Sequence, residues 1–313
     1  MKEELFVSGR NIPGIDPHLN IWHWPIPTYL FLGGMAAGIL FFASLYTILN
    51  KEKELPTAVK WSTFLAPFLL VLGLLALFFD LKHRSYFWRL YLTLRLESPM
   101  SWGAWVLLFI TPLSLLWSAS YLKELVPGWD WRFSWLNKIE AWVVSQRKML
   151  AWVMILLSVI LGIYTGILLS AFNARPLWNT ALLGPLFLVS GLSTGAAAIM
   201  WMSKSHYERK VFTRIDLLLI FIELFFIVHL FMGFLAGPEV QVEAAALFIT
   251  GKFALPFWGL VVGMGLLLPA FLEILELRGA KIPAAIPALL ILIGGLIFRF
   301  VILEAGDVTR YLY

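Results

Sequence analysis

Seven ionisable side chains interrupt stretches that are otherwise continuously apolar: Asp80, Glu223, His229, Glu273, Glu276, Arg299 and Glu304. If those stretches lie in lipid, each such group is costly and by default marks a path for protons, ions or substrate. Tyr164 stands apart, in Tyr164-Thr165-Gly166, where small residues leave room for a planar ligand. A buried phenol seeks a hydrogen-bond partner. That partner is either a ligand or, in the plainer reading, a neighbouring backbone carbonyl. Asp80, His83 and Arg84 stand at i, i+3 and i+4, a spacing that predicts one helical face. They form either a polar site or an interfacial cluster that only anchors the helix.

Arg299 is permanently charged, so it requires a carboxylate or a hydrated cavity, and Asp80 and Glu304 fall at similar depth. Glu223, Glu273 and Glu276 fall in the opposite half, with His229 near the middle. Together Glu223, His229 and Glu273 suit a proton relay, although Glu223 and His229 are six residues apart and do not share a helical face. Scattered structural polar contacts are the competing account.

Redox cofactors can be tested by counting ligands. The chain has no cysteine, so it can neither ligate an iron–sulfur cluster through thiolates nor attach haem covalently. Its histidines are His18, His23, His83, His206 and His229, and only His229 sits well inside an apolar stretch. A second imidazole at matching depth is missing. Neither haem nor an iron–sulfur cluster is expected in this chain.

These residues are positioned by long helices. Hydrophobic residues make up 60% of the 313-residue chain and charged residues only 14%, against about 25% charged in soluble domains. Eight apolar runs, at roughly 25–49, 61–81, 102–122, 149–172, 180–202, 216–236, 253–277 and 283–303, each suffice to cross a bilayer. They are continuous rather than alternating, which argues against a β-barrel. The expected fold is an all-α polytopic membrane protein, with eight spans grouped as two four-helix bundles. The expected divisions are an N-terminal segment 1–24, a first bundle 25–172, a second bundle 173–304 and a tail 305–313. No cleavable signal peptide is expected, because residues 1–27 lack an apolar core.

The net charge of +5 needs no nucleic acid to explain it, since basic loops are what insertion demands. Connections after the first, third, fifth and seventh spans carry fourteen Lys and Arg, against nine on the other side. That bias places both termini outside the cytoplasm. On this topology Tyr164, 15 residues beyond Met149, lies about 22 Å up its helix, in the outer third. The loop from Lys82 to Arg95 is basic although it faces outward. Either an acidic partner surface holds it or it is a solvated anchor. Gly34-x-x-x-Gly38 permits close helix contact.

At several of these positions the chain resembles the NrfD/PsrC family, the quinone-interacting membrane subunits of respiratory complexes such as polysulfide reductase. The resemblance covers almost the whole chain and is densest from Asn20 to Ala198. It is carried by Asn20-x-x-His23 followed by Tyr29-Leu30-Phe31-Leu32-Gly33-Gly34, and by Ser98-Pro99-Met100-Ser101-Trp102-Gly103. Tyr164-Thr165-Gly166 leading to Ala174-Arg175-Pro176-Leu177-Trp178-Asn179-Thr180 is the most specific stretch. Ser190-Gly191-Leu192-Ser193-Thr194-Gly195-Ala196 follows it, and Gly295, Arg299 and Ala305-Gly306 close the set. Any one motif is weak; the ordered series is specific.

The resemblance implies a quinone or quinol, menaquinone or ubiquinone, bound near the outer face by Asn20, His23 and Tyr164. His23 and Tyr164 would carry the proton chemistry. By their own positions, not by the resemblance, Asp80, Arg299 and Glu304 stand in support and Glu223, His229 and Glu273 offer a possible proton path; the carboxylates of the last four spans match no pattern of the family. The resemblance also implies a ferredoxin-like iron–sulfur partner, a catalytic molybdopterin or multihaem subunit, and a home in the cytoplasmic membrane of a bacterium or archaeon. The imidazole, with an unperturbed pKa of ~6.5, suits proton exchange with a quinone oxygen. The intramembrane carboxylates also motivate another class, an ion- or proton-coupled secondary transporter. Such proteins often show inverted repeats and broken helices. No repeat is evident here, although Pro256 and Pro269 interrupt the seventh span.

Overall fold

The computed structural model describes residues 22–126 and 128–309. Every long element is a helix, as a segment in lipid requires, because each backbone group must find its partner within the segment. The chain runs through α1 (Pro25–Ile48), α2 (Leu65–Asp80), α3 (Pro99–Ala119), a lateral α4 (Ser134–Ser145), α5 (Arg147–Ser170) and α6 (Leu183–Met202). It continues through α7 (His206–Leu235), a second lateral helix α8 (Glu239–Ile249), α9 (Leu268–Leu277) and α10 (Ala285–Val308). Eight helical segments are long and apolar enough to cross a membrane. Residues 22 and 309 therefore share one face, the terminal face.

The eight spans agree with the apolar runs, and the differences lie at their ends. The sixth begins at His206 rather than near Asp216, because Ser205 caps it by accepting from the Glu208 N–H. Its first polar turns are helical, with Glu208 fully buried. The side chain of Glu208 accepts from the Ala58 N–H at 2.8 Å and from Ser203 Oγ at 2.8 Å. The eighth span continues through Val308. The seventh is π-helical over Leu255–Leu267 and becomes α-helical at Leu268. Pro269 has no N–H to return to the carbonyl of Gly265, and the change of helix type falls beside it.

Packing is organised around α1 and α6. About 78% of the apolar window of α1 and 83% of that of α6 is buried, against 33% for Leu255–Leu277. The outer helices turn large apolar side chains such as Phe221 and Leu255 outward, where lipid would meet them. Between hydrocarbon-soluble helices the attraction is van der Waals packing, which rewards small residues. Gly34 and Gly38 of α1 meet Gly191 and Gly195 of α6 backbone to backbone. A Cβ on Gly195 would stand 2.7 Å from Gly38 Cα. Because α6 packs on α1 and α5 as well as on α7 and α10, the two halves of the sequence share one continuous core.

The face opposite the termini is braced by ion pairs. Lys60 and Arg147 both hold Glu124, at 2.6 and 2.7 Å, and Lys123 holds Glu140 at 2.9 Å. Arg147 also lies 4.0 Å above the Tyr121 ring. The connection between the third and fourth spans is thus an ordered bracket containing α4.

Candidate functional site

Near the terminal face an apolar cavity of about 380 Å³ opens between α1, α2, α3 and α5. Its polar lining is sparse: the hydroxyls of Tyr29, Tyr91 and Tyr164, and the carboxylate of Asp80. Tyr164 is 7% exposed and Tyr29 only 2%. The Tyr29 hydroxyl is buried without a hydrogen-bond partner among the described residues, and none of them donates to or accepts from the Tyr164 hydroxyl. A buried phenol left this way forgoes a bond worth about 1 kcal/mol net. With Tyr164 and Tyr91 on the same wall, the cavity offers hydroxyls to a ligand with hydrogen-bonding oxygens.

The sequence motif entering α3 has a steric reason. A Cβ on Gly103 would overlap the ring and hydroxyl of Tyr164, so only glycine lets the tyrosine lie flat across α3. Trp22, on the same cavity wall, stacks on Trp178 with centroids 5.2 Å apart and meets Phe172 edge-on at 4.8 Å. Trp178 in turn donates from Nε1 to the Ile302 carbonyl at 2.9 Å. Arg175 Nη1 donates to the carbonyls of Asp307 and Thr309 at 2.6 and 2.9 Å. The 174–180 motif is therefore a clamp that satisfies the C-terminal carbonyls of α10 and seats the polypeptide beside the cavity.

A second, polar basin of about 830 Å³ adjoins the first, lined by His23, Asp80, Arg84, Lys252, Glu304 and Asp307 among others. Trp22 and Asp80 belong to both walls. His23 is exposed and lines the basin, not the apolar cavity, so it does not share one pocket with Tyr164. Asp80, within electrostatic reach of His23, is the carboxylate that touches both spaces. Asn20 lies outside the described residues. The predicted helical face of Asp80, His83 and Arg84 does not form, because α2 ends at Asp80 and His83 has φ −114°. Arg84 instead turns back and donates from Nη2 to the Phe79 carbonyl at 2.9 Å.

The remaining charged residues form a separate buried series. Arg299, 1% exposed, donates to Ser190 Oγ at 2.5 Å and lies 4.9 Å over the Phe187 ring. Its carboxylate neighbour is Glu223, which also interacts with Ser190. The expected pairing of Arg299 with Asp80 or Glu304 does not occur, since those two stand at the terminal-face cavities. Ser193 Oγ donates to Asp216 Oδ1 at 2.7 Å. Asp216 stands between Glu223 and Glu273, and Glu276 extends the series toward Arg209 and His206 at the opposite face. Asp216 and Glu273 face each other, yet Asp216 Oδ2 and both Glu273 oxygens complete no good hydrogen bond among the described residues. His229 is absent from this series. It is exposed on the outer surface of α7, 4.1 Å from the Phe225 ring and bonded to the Phe225 carbonyl at 3.1 Å.

Tyr29 and Asp216 are site residues that the sequence alone does not single out. Tyr29 lies within a quoted motif, and its signal is a phenol five residues before Gly34 in an otherwise apolar span. Asp216 reads as a span boundary because the apolar run begins there, well inside the helix.

A family profile described as "Polysulphide reductase, NrfD" matches residues 15–310. The protein is 34% identical to the C subunit of polysulfide reductase from Wolinella succinogenes over 301 residues, covering 92% of this sequence and 94% of that one. It is 33% identical to the protein NrfD of Escherichia coli over 304 residues, covering 92% and 96%. A Haemophilus influenzae NrfD homolog is 27% identical over 317 residues, covering 95% and 98%.

Proposed function

The chain belongs to the NrfD family of polysulfide-reductase-like integral membrane proteins, and from that premise we propose that it is the quinone-binding membrane subunit of a respiratory oxidoreductase. The observation that carries this reading is the apolar cavity lined by Tyr29, Tyr91 and Tyr164 beside the Asp80 carboxylate, with the buried Tyr29 hydroxyl lacking a partner among the described residues. A quinone, menaquinone or ubiquinone, presents two ring oxygens on a flat apolar body, which fits that lining. Bound there, it supplies two-electron, two-proton redox chemistry.

The residues of this protein divide the remaining work. Tyr164 and Tyr29 hydrogen-bond the head-group oxygens, and the ring of Tyr164, lying against Gly103, forms a flat wall. Asp80 accepts or donates the proton at its carboxylate, because among the described residues it is the carboxylate that lines both the apolar cavity and the polar basin. His23 exchanges that proton with the basin, where Glu304 also stands. Asn20, by the family resemblance, orients the head group. Electrons pass to and from a ferredoxin-like iron–sulfur subunit on the terminal face, which in turn serves a molybdopterin or multihaem catalytic subunit. The terminal face is the extracytoplasmic one, on the strength of the Lys and Arg bias. Cytoplasm-only activity of reporter fusions at Tyr313 would reverse it.

The buried series from Arg299 through Glu223, Asp216 and Glu273 to Glu276 serves as the proton path from the opposite face. Arg299 Nη2 would lie 3.5 Å from a Cβ on Gly34, and Gly34 is about 7.5 Å of helix rise from Tyr29. The path thus ends close to the cavity. Such a series also suits an ion-coupled transporter, but the tyrosine-lined apolar cavity, with a Tyr29 hydroxyl lacking a partner among the described residues, favours a flat ligand with ring oxygens. The test is quinone-analogue binding to the purified protein, wild type against Tyr164→Phe and Gly103→Leu. A side chain at Gly103 would drive the Tyr164 ring from its place against α3 and should abolish binding, and unchanged affinity in both variants would remove the cavity from consideration.

A further inference from the structure

The segment between α2 and α3 forms a third recess, about 490 Å³, outside both the apolar cavity and the polar basin. Its rim carries Lys82, His83, Arg89 and Arg95, and its floor is apolar. Leu81, Phe87, Leu90 and Met100 line both this recess and the tyrosine cavity, so the two spaces share a wall.

The charges on this rim differ from those of the ion-paired bracket at the opposite face. There, Lys60, Lys123 and Arg147 are each held by a carboxylate of the same polypeptide. Among the described residues, Lys82, Arg89 and Arg95 have no ion pair. Glu97 is the one carboxylate in residues 82–101, and it does not bridge to them. Arg89 instead leans on the rings of Tyr86 and Trp88, 4.8 and 5.6 Å from their centroids. Large apolar side chains alternate with these cations and are exposed, Leu92 at 75% and Leu96 at 72%.

We infer that this recess binds the phosphate of an anionic bilayer phospholipid, with an acyl tail laid along the wall shared with the tyrosine cavity. A phospholipid carries a phosphate and, a few ångströms away, its acyl tails, which matches a cationic rim over an apolar floor. An acidic protein surface would satisfy only the rim. Cationic side chains attract the phosphate of an anionic headgroup at close range, and aromatic side chains between them favour the headgroup zone. The lipid site stands without the quinone reading. Only its consequence, a lipid tail at the edge of the quinone cavity, rests on that reading.

The experiment is native mass spectrometry of the full-length protein released from nanodiscs containing phosphatidylglycerol or phosphatidylcholine of equal tail length. Wild-type protein should retain one phosphatidylglycerol, and the variant Lys82→Gln/Arg89→Gln/Arg95→Gln should bind it at least tenfold more weakly. The charge-preserving variant Lys82→Arg/Arg89→Lys/Arg95→Lys should retain it. Millimolar inorganic phosphate should not displace it, because phosphate lacks the tail that the floor requires. If the triple variant does not fold, Arg89→Gln alone carries the comparison. Equal retention by wild type and the neutralised variant overturns the inference, as does full displacement by inorganic phosphate. Retained lipid together with loss of a copurifying protein would assign the rim to protein docking and likewise overturn it. Quinone-analogue binding, measured in the same samples without added lipid, reports on the cavity separately.

Discussion

The tyrosine cavity and the buried carboxylate series both hold polar groups in an apolar protein, and they solve the problem differently. In the cavity, Tyr29 and Tyr164 carry hydroxyls that no described residue satisfies, next to open space. In the series, Arg299 is held by Ser190, the Phe187 ring and Glu223. A neutral phenol can wait for a ligand at small cost, whereas an unpaired buried charge costs several kcal/mol. The cavity therefore leaves hydroxyls open to its space, whereas the Arg299 end of the series is closed by protein groups. Substitutions in the first should alter binding and turnover; substitution of Arg299 in the second should first alter folding.

The largest effect expected is on turnover. Asp80→Asn keeps the shape of the side chain but removes its capacity to exchange a proton, and a general acid–base group typically contributes 10²–10⁴-fold. Quinone-coupled turnover of the assembled complex should fall by that order, while electron transfer from an artificial donor to the catalytic partner is kept. Wild-type turnover would return Asp80 to the role of a helix-end anchor. Because His23 lines only the basin, His23→Ala should fall less far than Asp80→Asn.

Next comes stability. Arg299→Ala removes the cation whose charge offsets the buried Glu223, and an uncompensated buried charge costs several kcal/mol. The variant should accumulate poorly or melt early in detergent, and adding Glu223→Gln should recover part of the loss. A melting curve that matches wild type would mean the charge is hydrated, and the contrast between the two regions would collapse.

A subtler test separates transport from architecture within the series itself. Asp216 and Glu273 face each other with oxygens lacking good hydrogen bonds. Glu273→Gln should leave the fold intact and quinone-analogue affinity unchanged while lowering proton uptake from the opposite face in proteoliposomes. Unchanged proton uptake would make the pair structural.

The smallest effects belong to the phenols. Tyr164→Phe and Tyr29→Phe each remove one hydrogen bond, worth roughly 0.5–1.5 kcal/mol, or about two- to thirteen-fold in analogue affinity. Melting temperature should hold or rise slightly in Tyr29→Phe, since an unsatisfied hydroxyl is being removed. A marked loss of stability there would mean that the Tyr29 hydroxyl is bonded within the protein.

The helices were legible in the sequence because their cause is local. Some twenty apolar residues in a row have one low-energy solution in hydrocarbon, and Pro25, Pro99 and Ser205 mark starts that a reader can find. The type of each costly residue was equally plain, since Asp80, Glu223, Glu273 and Arg299 stand out against leucine and phenylalanine wherever they fall. Which of them meet was not. Partnership depends on the rotation and depth of eight helices, set by contacts such as Gly38 against Gly195 between residues far apart in sequence. Depth alone suggested that Arg299 would meet Asp80 or Glu304; helix rotation gave it Ser190 and Glu223 instead, and turned His229 outward. Likewise the Asp80-x-x-His83-Arg84 spacing presumed a helix that in fact stops at Asp80. Composition and hydrophobic run length are properties of the sequence, and they determined that this is an eight-span helical membrane protein. Tertiary packing decided that Tyr29 and Tyr164 share a cavity, that Asp80 bridges it to a polar basin, and that distant polar residues line up from Arg299 to Glu276, because proximity across helices is a property of the assembled bundle.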